Sequence, residues 1–148
     1  MNAAPLCSLA TVSPGRRAHI NHMYFAWNAR YELFWYSDRD SVHSRNLERS
    51  ATAAITIYDS HQVNGRPDRG IQLFGTAGIA SGTAADEATR AYSRRFRGVD
   101  PTAYTAYRFR ARTVKLFDER SIAPGMLVTA RITRERLVWS KTEVWVTA

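Results

Sequence analysis

Apolar and polar residues alternate in short runs along most of the chain, and this pattern predicts a protein built mainly of β-strands. Turn-forming pairs such as Pro14-Gly15 and Asn64-Gly65 separate the runs. Alternation with a period of two is typical of strands that have one buried face. The pattern predicts strands over the following ranges: Leu6–Val12, Ala18–Trp27, Tyr31–Tyr36, Ala51–Tyr58, Gly70–Ala80, Ala103–Phe117 (as one strand or two), Met126–Ile132, Arg136–Ser140 and Val144–Thr147.

Two segments depart from this alternation and predict helices. The first is short and spans about residues 41–49. The second, Ala84–Phe96, is amphipathic, has Thr83 as a suitable N-cap, and ends near Gly98. Glycines also interrupt one predicted strand, at Gly75 and Gly78, where they indicate a bulge or a close approach of two backbones.

The connections between the strands predict how they pair. Ser13–Arg16 is a hairpin turn and Asn28–Arg30 is a second tight connection, so we expect the first three strands to form an antiparallel meander. Antiparallel strands with a helix inserted after the third predict a small β-barrel with helices at its ends, which also protects the sheet edges. We expect residues 1–148 to form a single domain with a sizeable core.

Charge narrows the class of partner. The formal net charge is +8, carried almost entirely by arginine, but the basic residues are spread along the chain. The one short cluster, Arg94-Arg95-x-Arg97, falls at the end of the second predicted helix, where cations suit the helix dipole. We therefore expect no nucleic-acid partner. A phosphate-bearing cofactor or substrate explains part of the charge, and a preference for arginine in the source genome is the alternative explanation.

Other features restrict the location and the cofactor. No apolar run approaches the roughly 18 residues of a membrane span, and residues 1–5 lack the features of a signal peptide. Cys7 is the single cysteine, which excludes an internal disulfide and a cysteine-based zinc site, and we expect it in the core. His19 and His22 face opposite sides of a predicted strand, so they predict no metal site. We expect a cytoplasmic protein with no membrane partner.

One stretch combines the groups that a phosphate requires. A strand ending at Tyr36 leads through a loop into the first predicted helix and brings Ser37, Ser41 and His43 to its N-terminus, with Arg45 nearby. Unpaired backbone N–H groups, the helix dipole, hydroxyls and cations together bind phosphate. The stretch therefore predicts the phosphate-binding site for a cofactor. Two simpler interpretations stay open, in which Ser41 only caps the helix and His43 is a surface residue.

In their order and spacing these segments resemble the pyridoxamine 5′-phosphate oxidase-like, flavin-binding split barrels. The similarity covers nearly the whole chain. It rests on Leu9-Ala-Thr-Val-x-Pro-Gly, Tyr36-Ser37-x-x-x-Ser41-x-His43-x-Arg45-x-Leu47, Ala53-Ala-Ile-Thr-Ile and Gln72-Leu-Phe-Gly-Thr-Ala. The resemblance implies a mainly β protein with inserted helices, an antiparallel split β-barrel that forms a homodimer with flavin mononucleotide (FMN) in two sites at the interface.

The resemblance also implies which residues meet the cofactor. The segment of Ser37, Ser41 and His43 corresponds to the one that holds the flavin phosphate, although family members often have Arg at the position of Val42 and Lys at that of His43. The strand containing residues 20–22 corresponds to the one that runs along the isoalloxazine ring. The candidate cofactor-binding residues are Ile20, Asn21, His22, Ser37, Ser41, Val42, His43 and Gln72. On their own, Asn21, His22 and Gln72 are also ordinary strand residues.

The function implied is an FMN-dependent oxidoreductase that acts on a small molecule, with hydride or electron transfer at the flavin ring in the dimer groove. No nucleophile–base pair and no catalytic carboxylate pair is evident, as expected where a cofactor supplies the chemistry. The substrate is expected near the His19–Tyr24 strand, with Gln62–Arg69 as a lid. Trp139 and Trp145 are core or interface residues, or approach the partner's flavin. Two alternatives stay open: a deazaflavin-dependent reductase on the same fold, and a non-catalytic flavin- or haem-binding protein.

Overall fold

The computed structural model describes residues 4–134 and 136–145, and within these ranges the chain forms nine strands and two α-helices. The strands are β1 (Leu6–Ser13), β2 (Arg17–Tyr24), β3 (Ala26–Trp27), β4 (Glu32–Ser37), β5 (Thr52–Tyr58), β6 (Arg69–Ile79), β7 (Thr105–Asp118), β8 (Met126–Thr133) and β9 (Arg136–Val144). The helices are α1 (Val42–Arg49) and α2 (Thr83–Arg95). Of the last predicted strand, Val144–Thr147, Val144 is the end of β9, and residues 146 and 147 lie outside the described ranges.

All strand pairs are antiparallel, and the sheet closes on itself. The strand order is β2-β1-β5-β6-β7-β4-β3, with β8 paired to β7 and β9 to β8. Strands β2 and β3 form the two ends of this path, yet Phe25 alone separates them along the chain. The sheet must therefore curl until its ends meet, which makes it a barrel. Phe25 is fully buried at this corner, and the prediction of an antiparallel split barrel is confirmed.

The two predicted hairpins of the first three strands are confirmed, since β1 pairs antiparallel with β2 and β3 with β4, but the prediction that they form one continuous meander is wrong. The segment Ala18–Trp27 is not one strand, because the chain breaks at Phe25 and its two parts lie at opposite ends of the sheet. Strand β4 pairs with β3 and with β7, which lies some 70 residues further along the chain. This pairing stacks Trp35 on Tyr107 with ring centroids 5.5 Å apart. Local alternation predicts which residues are strands but not their distant partners.

The core fills the barrel and extends under α2. Leu9, Phe25, Leu33 and Phe109 are fully buried inside the barrel, and each such side chain stabilises the fold by roughly 1.5–3 kcal/mol. A second cluster packs the small residues of α2 against β3 and β4. Cys7 is buried as predicted, and burial raises the pKa of its thiol to about 12.

Two glycines of the sequence explain local irregularities. A Cβ atom at Gly75 would lie 2.0 Å from the carbonyl oxygen of Arg110, so the predicted close approach is confirmed there. The register between β6 and β7 shifts at this point. Gly78, in contrast, has nothing within 4 Å of a built Cβ. Gly82, with φ of +55°, caps α2 in place of Thr83, because the sharp entry into the helix needs a residue without a Cβ.

Candidate cofactor site

Helix α1 closes one end of the barrel beside the end of β1. Its buried side chains recur at helical spacing: His43, Ser44, Asn46 and Leu47. The Asn46 amide nitrogen donates hydrogen bonds to the hydroxyl oxygens of Thr11 (3.0 Å) and Ser13 (3.1 Å). These contacts fix the helix on β1, so the position of its N-terminus is determined by the barrel.

A group of hydroxyls surrounds His43 at this N-terminus, as the sequence predicts. The Nε2 atom of His43 lies 2.8 Å from the Ser37 hydroxyl oxygen and 3.1 Å from that of Ser41. Ser41 is the N-cap of α1, and its oxygen accepts a hydrogen bond from the backbone N–H of Ser44. We call Ser37, Ser41, His43 and Ser44 the serine–histidine cluster. Capping and phosphate binding by Ser41 are compatible.

The hydrogen bonds of the serine–histidine cluster determine where its protons lie. The Ser44 hydroxyl donates to the carbonyl of Asp38 (2.8 Å), so the Ser41 hydroxyl must donate to Ser44 (2.8 Å). With its only proton used, the Ser41 oxygen can only accept from His43, which places a proton on Nε2. That N–H is directed at the Ser37 oxygen as well. The Ser37 hydroxyl proton is therefore left for another acceptor, such as a phosphate oxygen.

His43 is buried and uncharged in the protein alone. Its side chain is 5% exposed, so the interpretation of His43 as a surface residue is wrong. Burial lowers the pKa of His43 below its ordinary value of 6.5, and the nearby His19 lowers it further. His19 lies on β2 opposite Thr11, on the side of the strand that faces the barrel interior. A bound anion would act in the opposite direction and favour the protonated ring.

Two further residues of the motif contribute no buried cation. Val42 is the first residue of α1 and its side chain is exposed. Arg45 is exposed as well, and its guanidinium donates to the backbone carbonyl of Asp40, which holds the loop before the helix. The candidate phosphate-binding site therefore consists of hydroxyls, helix N–H groups and the ionisable ring of His43, with Arg45 at its edge.

The other predicted site residues lie on a different surface. Ile20, His22 and Gln72 are on the outer face of the sheet, whereas Asn21 points toward the interior opposite Leu9. His22 and Gln72 share one register row but are separated by β1 and β5. Three strand spacings make this distance about 14 Å. The structure thus divides the predicted set into an α1 group, an outer-face group and Asn21, which belongs to neither.

The outer face is apolar and open. Ile20 is 64% exposed and Phe74 is 40% exposed. An apolar groove of about 310 Å³ runs between Ala10, Ala54 and Phe74, and Arg16 lies at its border. A contiguous apolar surface of this kind indicates a binding or association surface. The two C-terminal tryptophans are also exposed, so the interpretation of Trp139 and Trp145 as core residues is wrong.

Sequence reasoning missed four contributors to the serine–histidine cluster and its support. Ser44 and Asn46 share the buried face of α1 with His43, and helical spacing from Ser41 and His43 is a signal that would have found them. His19 lies two residues before Asn21 on the same face of β2, and this period indicates that both face inward. Thr11 gave no local signal, because its contact with Asn46 spans 35 residues.

Over 4–134 and 136–145, no group of three or more His, Cys, Asp or Glu side chains is arranged to hold a metal ion. In the same part of the chain, neither α-helix is long and apolar enough to cross a membrane.

The closed antiparallel barrel, with a helix N-terminus and polar cluster at one end, has the fold of a split-barrel protein. The chain belongs to the pyridoxamine 5′-phosphate oxidase family, whose model matches residues 1–118. A curated relative, the small ribosomal subunit protein uS2 of Synechococcus elongatus, is 32% identical over 72 residues. That match covers 49% of this chain, and the chain spans 29% of the relative's length.

Solved structures share the fold at low sequence identity. A conserved hypothetical protein from Mycobacterium tuberculosis is 21% identical, with 80% of each chain covered and a TM-score of 0.67. A pyridoxamine 5′-phosphate oxidase-related, FMN-binding protein from Nostoc punctiforme is 14% identical, with a TM-score of 0.67 over 97% of this chain and 87% of that one. A haem-binding protein from Mycobacterium smegmatis is 15% identical, with a TM-score of 0.69 over 87% and 53%.

Proposed function

We propose that the protein binds FMN as a homodimer and acts as an oxidoreductase on a small molecule in the cytoplasm, without a nucleic-acid or membrane partner. The observation that carries this proposal is the serine–histidine cluster at the N-terminus of α1, in a chain of the pyridoxamine 5′-phosphate oxidase family. When bound, the flavin supplies the redox chemistry, and the chain's residues bind it, orient it and exclude water.

The donor set fits a phosphate. The Ser37 hydroxyl has a proton to donate, and the first two N–H groups of α1, those of Val42 and His43, have no acceptor within the helix, whereas the Ser44 N–H is bound by the Ser41 cap. Hydrogen bonds to a charged group contribute roughly 1.5–3 kcal/mol each, so a few of them hold a phosphate without a lysine. The phosphate dianion also raises the pKa of His43, and the protonated ring then adds a charge-assisted contact.

The outer face supports the proposed dimer, the position of the flavin ring and the lid. Ile20 and Phe74 offer apolar surface on which a flavin ring and a second copy of the chain can pack. His22 and Gln72 lie on the same face but far apart, as expected if contacts to one ring come from two copies. The Gln62–Arg69 loop lies at one edge of this face, between β5 and β6, where a lid would sit.

A second candidate function is non-catalytic binding of flavin or haem. The observation that favours it is the lack of a side-chain cation at Val42, beside a histidine that is neutral in the free protein. The haem-binding protein of the same fold supports this candidate. A deazaflavin cofactor remains a third outcome, because its long acidic tail suits the basic surface of this chain.

The test is a visible spectrum of the purified protein followed by titration with FMN, riboflavin, a deazaflavin and haem. We expect FMN to bind more tightly than riboflavin, which has the same ring without the phosphate. Ser37→Ala should weaken FMN binding about tenfold to a hundredfold, since one hydrogen bond to a charged group is lost, and leave riboflavin unchanged. Ser93→Ala, an exposed serine of α2, is the matched control. Equal binding of FMN and riboflavin to the wild-type protein would contradict the proposed phosphate-binding site.

A further inference from the structure

The loop between β5 and β6 borders two adjoining cavities. The larger has a volume of about 460 Å³ and lies between the start of β1, His22 and the beginning of the loop. The smaller, of about 180 Å³, lies under the loop near the end of β7. Asp59 and His61 line both. The two cavities therefore meet at these two side chains, and together we call them the loop cavity.

The larger part of the loop cavity is mostly apolar. Leu6 and Tyr58 line it, and each side chain is about half exposed. His22 is a polar group on its wall. The His22 Nδ1 atom is engaged with the Ser8 hydroxyl at 2.9 Å, so Nε2 is the ring nitrogen left for a ligand. Volumes of roughly 300–1,000 Å³ with a few polar groups are typical of small-molecule sites.

The smaller part is cationic. Arg66, Arg69 and Arg120 line it, against one carboxylate, Asp59. Among the residues that the structure describes, none of these three guanidinium groups has a carboxylate oxygen within 4.0 Å. Asp59 is already engaged, since it accepts a hydrogen bond from the His61 backbone N–H at 3.0 Å.

The backbone that carries these arginines is held in place. The N–H of Arg69 donates to the side-chain oxygen of Gln62, and the N–H of Asp68 donates to the carboxylate of Glu119 at 3.0 Å. The Glu119 N–H donates in return to the Asp68 carbonyl. Because these bonds join the end of the loop to the end of β7, Arg69 and Arg120 are brought to the same side. These bonds hold the backbone, whereas the guanidinium groups are exposed, and guanidinium groups bind carboxylate or phosphate with paired hydrogen bonds.

We propose that the loop cavity binds the substrate, and that the substrate is a small organic anion whose apolar ring fills the larger part while its carboxylate or phosphate meets the arginines. The inference rests on the proposed function and deepens it by naming a substrate class. His22 connects the two, because it belongs both to the cavity and to the β2 segment on which we propose the flavin ring lies.

The test compares three probes with one ring system: 1-naphthyl phosphate, 1-naphthoate and neutral 1-naphthol, titrated by fluorescence into the full chain without FMN. We expect both anions to bind at least tenfold more tightly than naphthol. The double variant Arg66→Gln/Arg120→Gln should lose this preference and keep its naphthol affinity. Arg90→Gln/Arg97→Gln removes the same charge from exposed positions on and just after α2 and should behave as the wild type.

Several outcomes would overturn the inference: equal affinity for all three probes, equal losses in the two double variants, or no saturable binding. Leu6→Gln should weaken the anions and naphthol alike, because it alters only the apolar part.

A second readout separates this inference from the proposed function. FMN binding is followed by its visible absorption, and Arg66→Gln/Arg120→Gln should bind FMN as the wild type does. In FMN-loaded protein, naphthyl phosphate should shift the flavin band in the wild type and not in that variant. If the anions bind but FMN does not, the loop cavity is an anion-binding site, and its proposed role as the substrate site is overturned. If FMN binds but the anions do not, the proposed role of the loop cavity is overturned and the proposed function is left intact.

Discussion

Arg95 holds together the corner at which the barrel closes, and replacing it should destabilise the whole fold. Its guanidinium carbon lies 4.4 Å from the ring centroids of both Phe25 and Trp27. It donates hydrogen bonds to the backbone carbonyls of Phe25 (2.9 Å) and Ala4. One side chain of α2 thus fixes the break between β2 and β3 and the start of β1. Arg95→Met keeps much of the aliphatic stem but removes both hydrogen bonds and the charge.

The magnitude follows from these contacts. Hydrogen bonds from a charged donor contribute roughly 1.5–3 kcal/mol each when buried, and the half-buried position of Arg95 favours the lower end. Stacking on aromatic rings adds about 0.5–1 kcal/mol. Phe25 is fully buried, so its carbonyl finds no water as a replacement partner. We expect Arg95→Met to lower the free energy of unfolding by about 2–4 kcal/mol.

Urea denaturation followed by tryptophan fluorescence measures this loss. With a slope of about 2 kcal/mol per molar urea, the midpoint should fall by about 1–2 M. Arg94→Met is the matched control, because Arg94 is the exposed neighbour on the same helix and should change stability by less than about 0.5 kcal/mol. An Arg95→Met variant as stable as the Arg94→Met variant would refute the argument that this guanidinium holds the closure.

Two further predictions concern the close approach of backbones at Gly75 and the burial of His43. Gly75→Ala should destabilise the fold by about 3 kcal/mol or more in urea denaturation, because the new Cβ meets the Arg110 carbonyl oxygen at 2.0 Å. Gly78→Ala is the control and should be close to neutral. Equal effects of the two substitutions would contradict the close approach. His43 has a pKa below 6.5 when folded, first through burial and then through His19, so the unfolded chain binds its proton more readily and stability should fall as pH is lowered from 6.5 toward the folded pKa. Unfolding measured at pH 7.5, 6.0 and 5.0 should show a shallower fall in His43→Gln, and an unchanged slope would count against a buried neutral ring.

Much of the fold was predictable from local patterns. Leu9 and Ile55 lie inside, and Ala10 and Phe74 outside, because side chains alternate along a strand whatever its partner is. The serine–histidine cluster was also predictable in part. Ser41 and His43 lie two residues apart around a helix start, so the chain brings them together without help from distant contacts.

Long-range packing decided what the local patterns left open. The break at Phe25 and the pairing of β4 with β7 depend on which surfaces bury most area together, and alternation is the same for every candidate partner. The burial of His43, and hence its neutral state, depends on the seating of α1 against Thr11 and Ser13.

The loop cavity also combines features that local sequence shows with features that only long-range packing decides. Arg66 and Arg69 lie three residues apart in the sequence, but nothing local predicts that Arg120 joins them or that Leu6 and His22 line the adjoining space. The sequence by itself therefore determined the strands, the helices and the local phosphate motif, since these follow from residue preference and periodicity. The tertiary structure alone decided the barrel closure, the protonation of His43 and the cavity, because each arises from contacts between segments far apart in the chain.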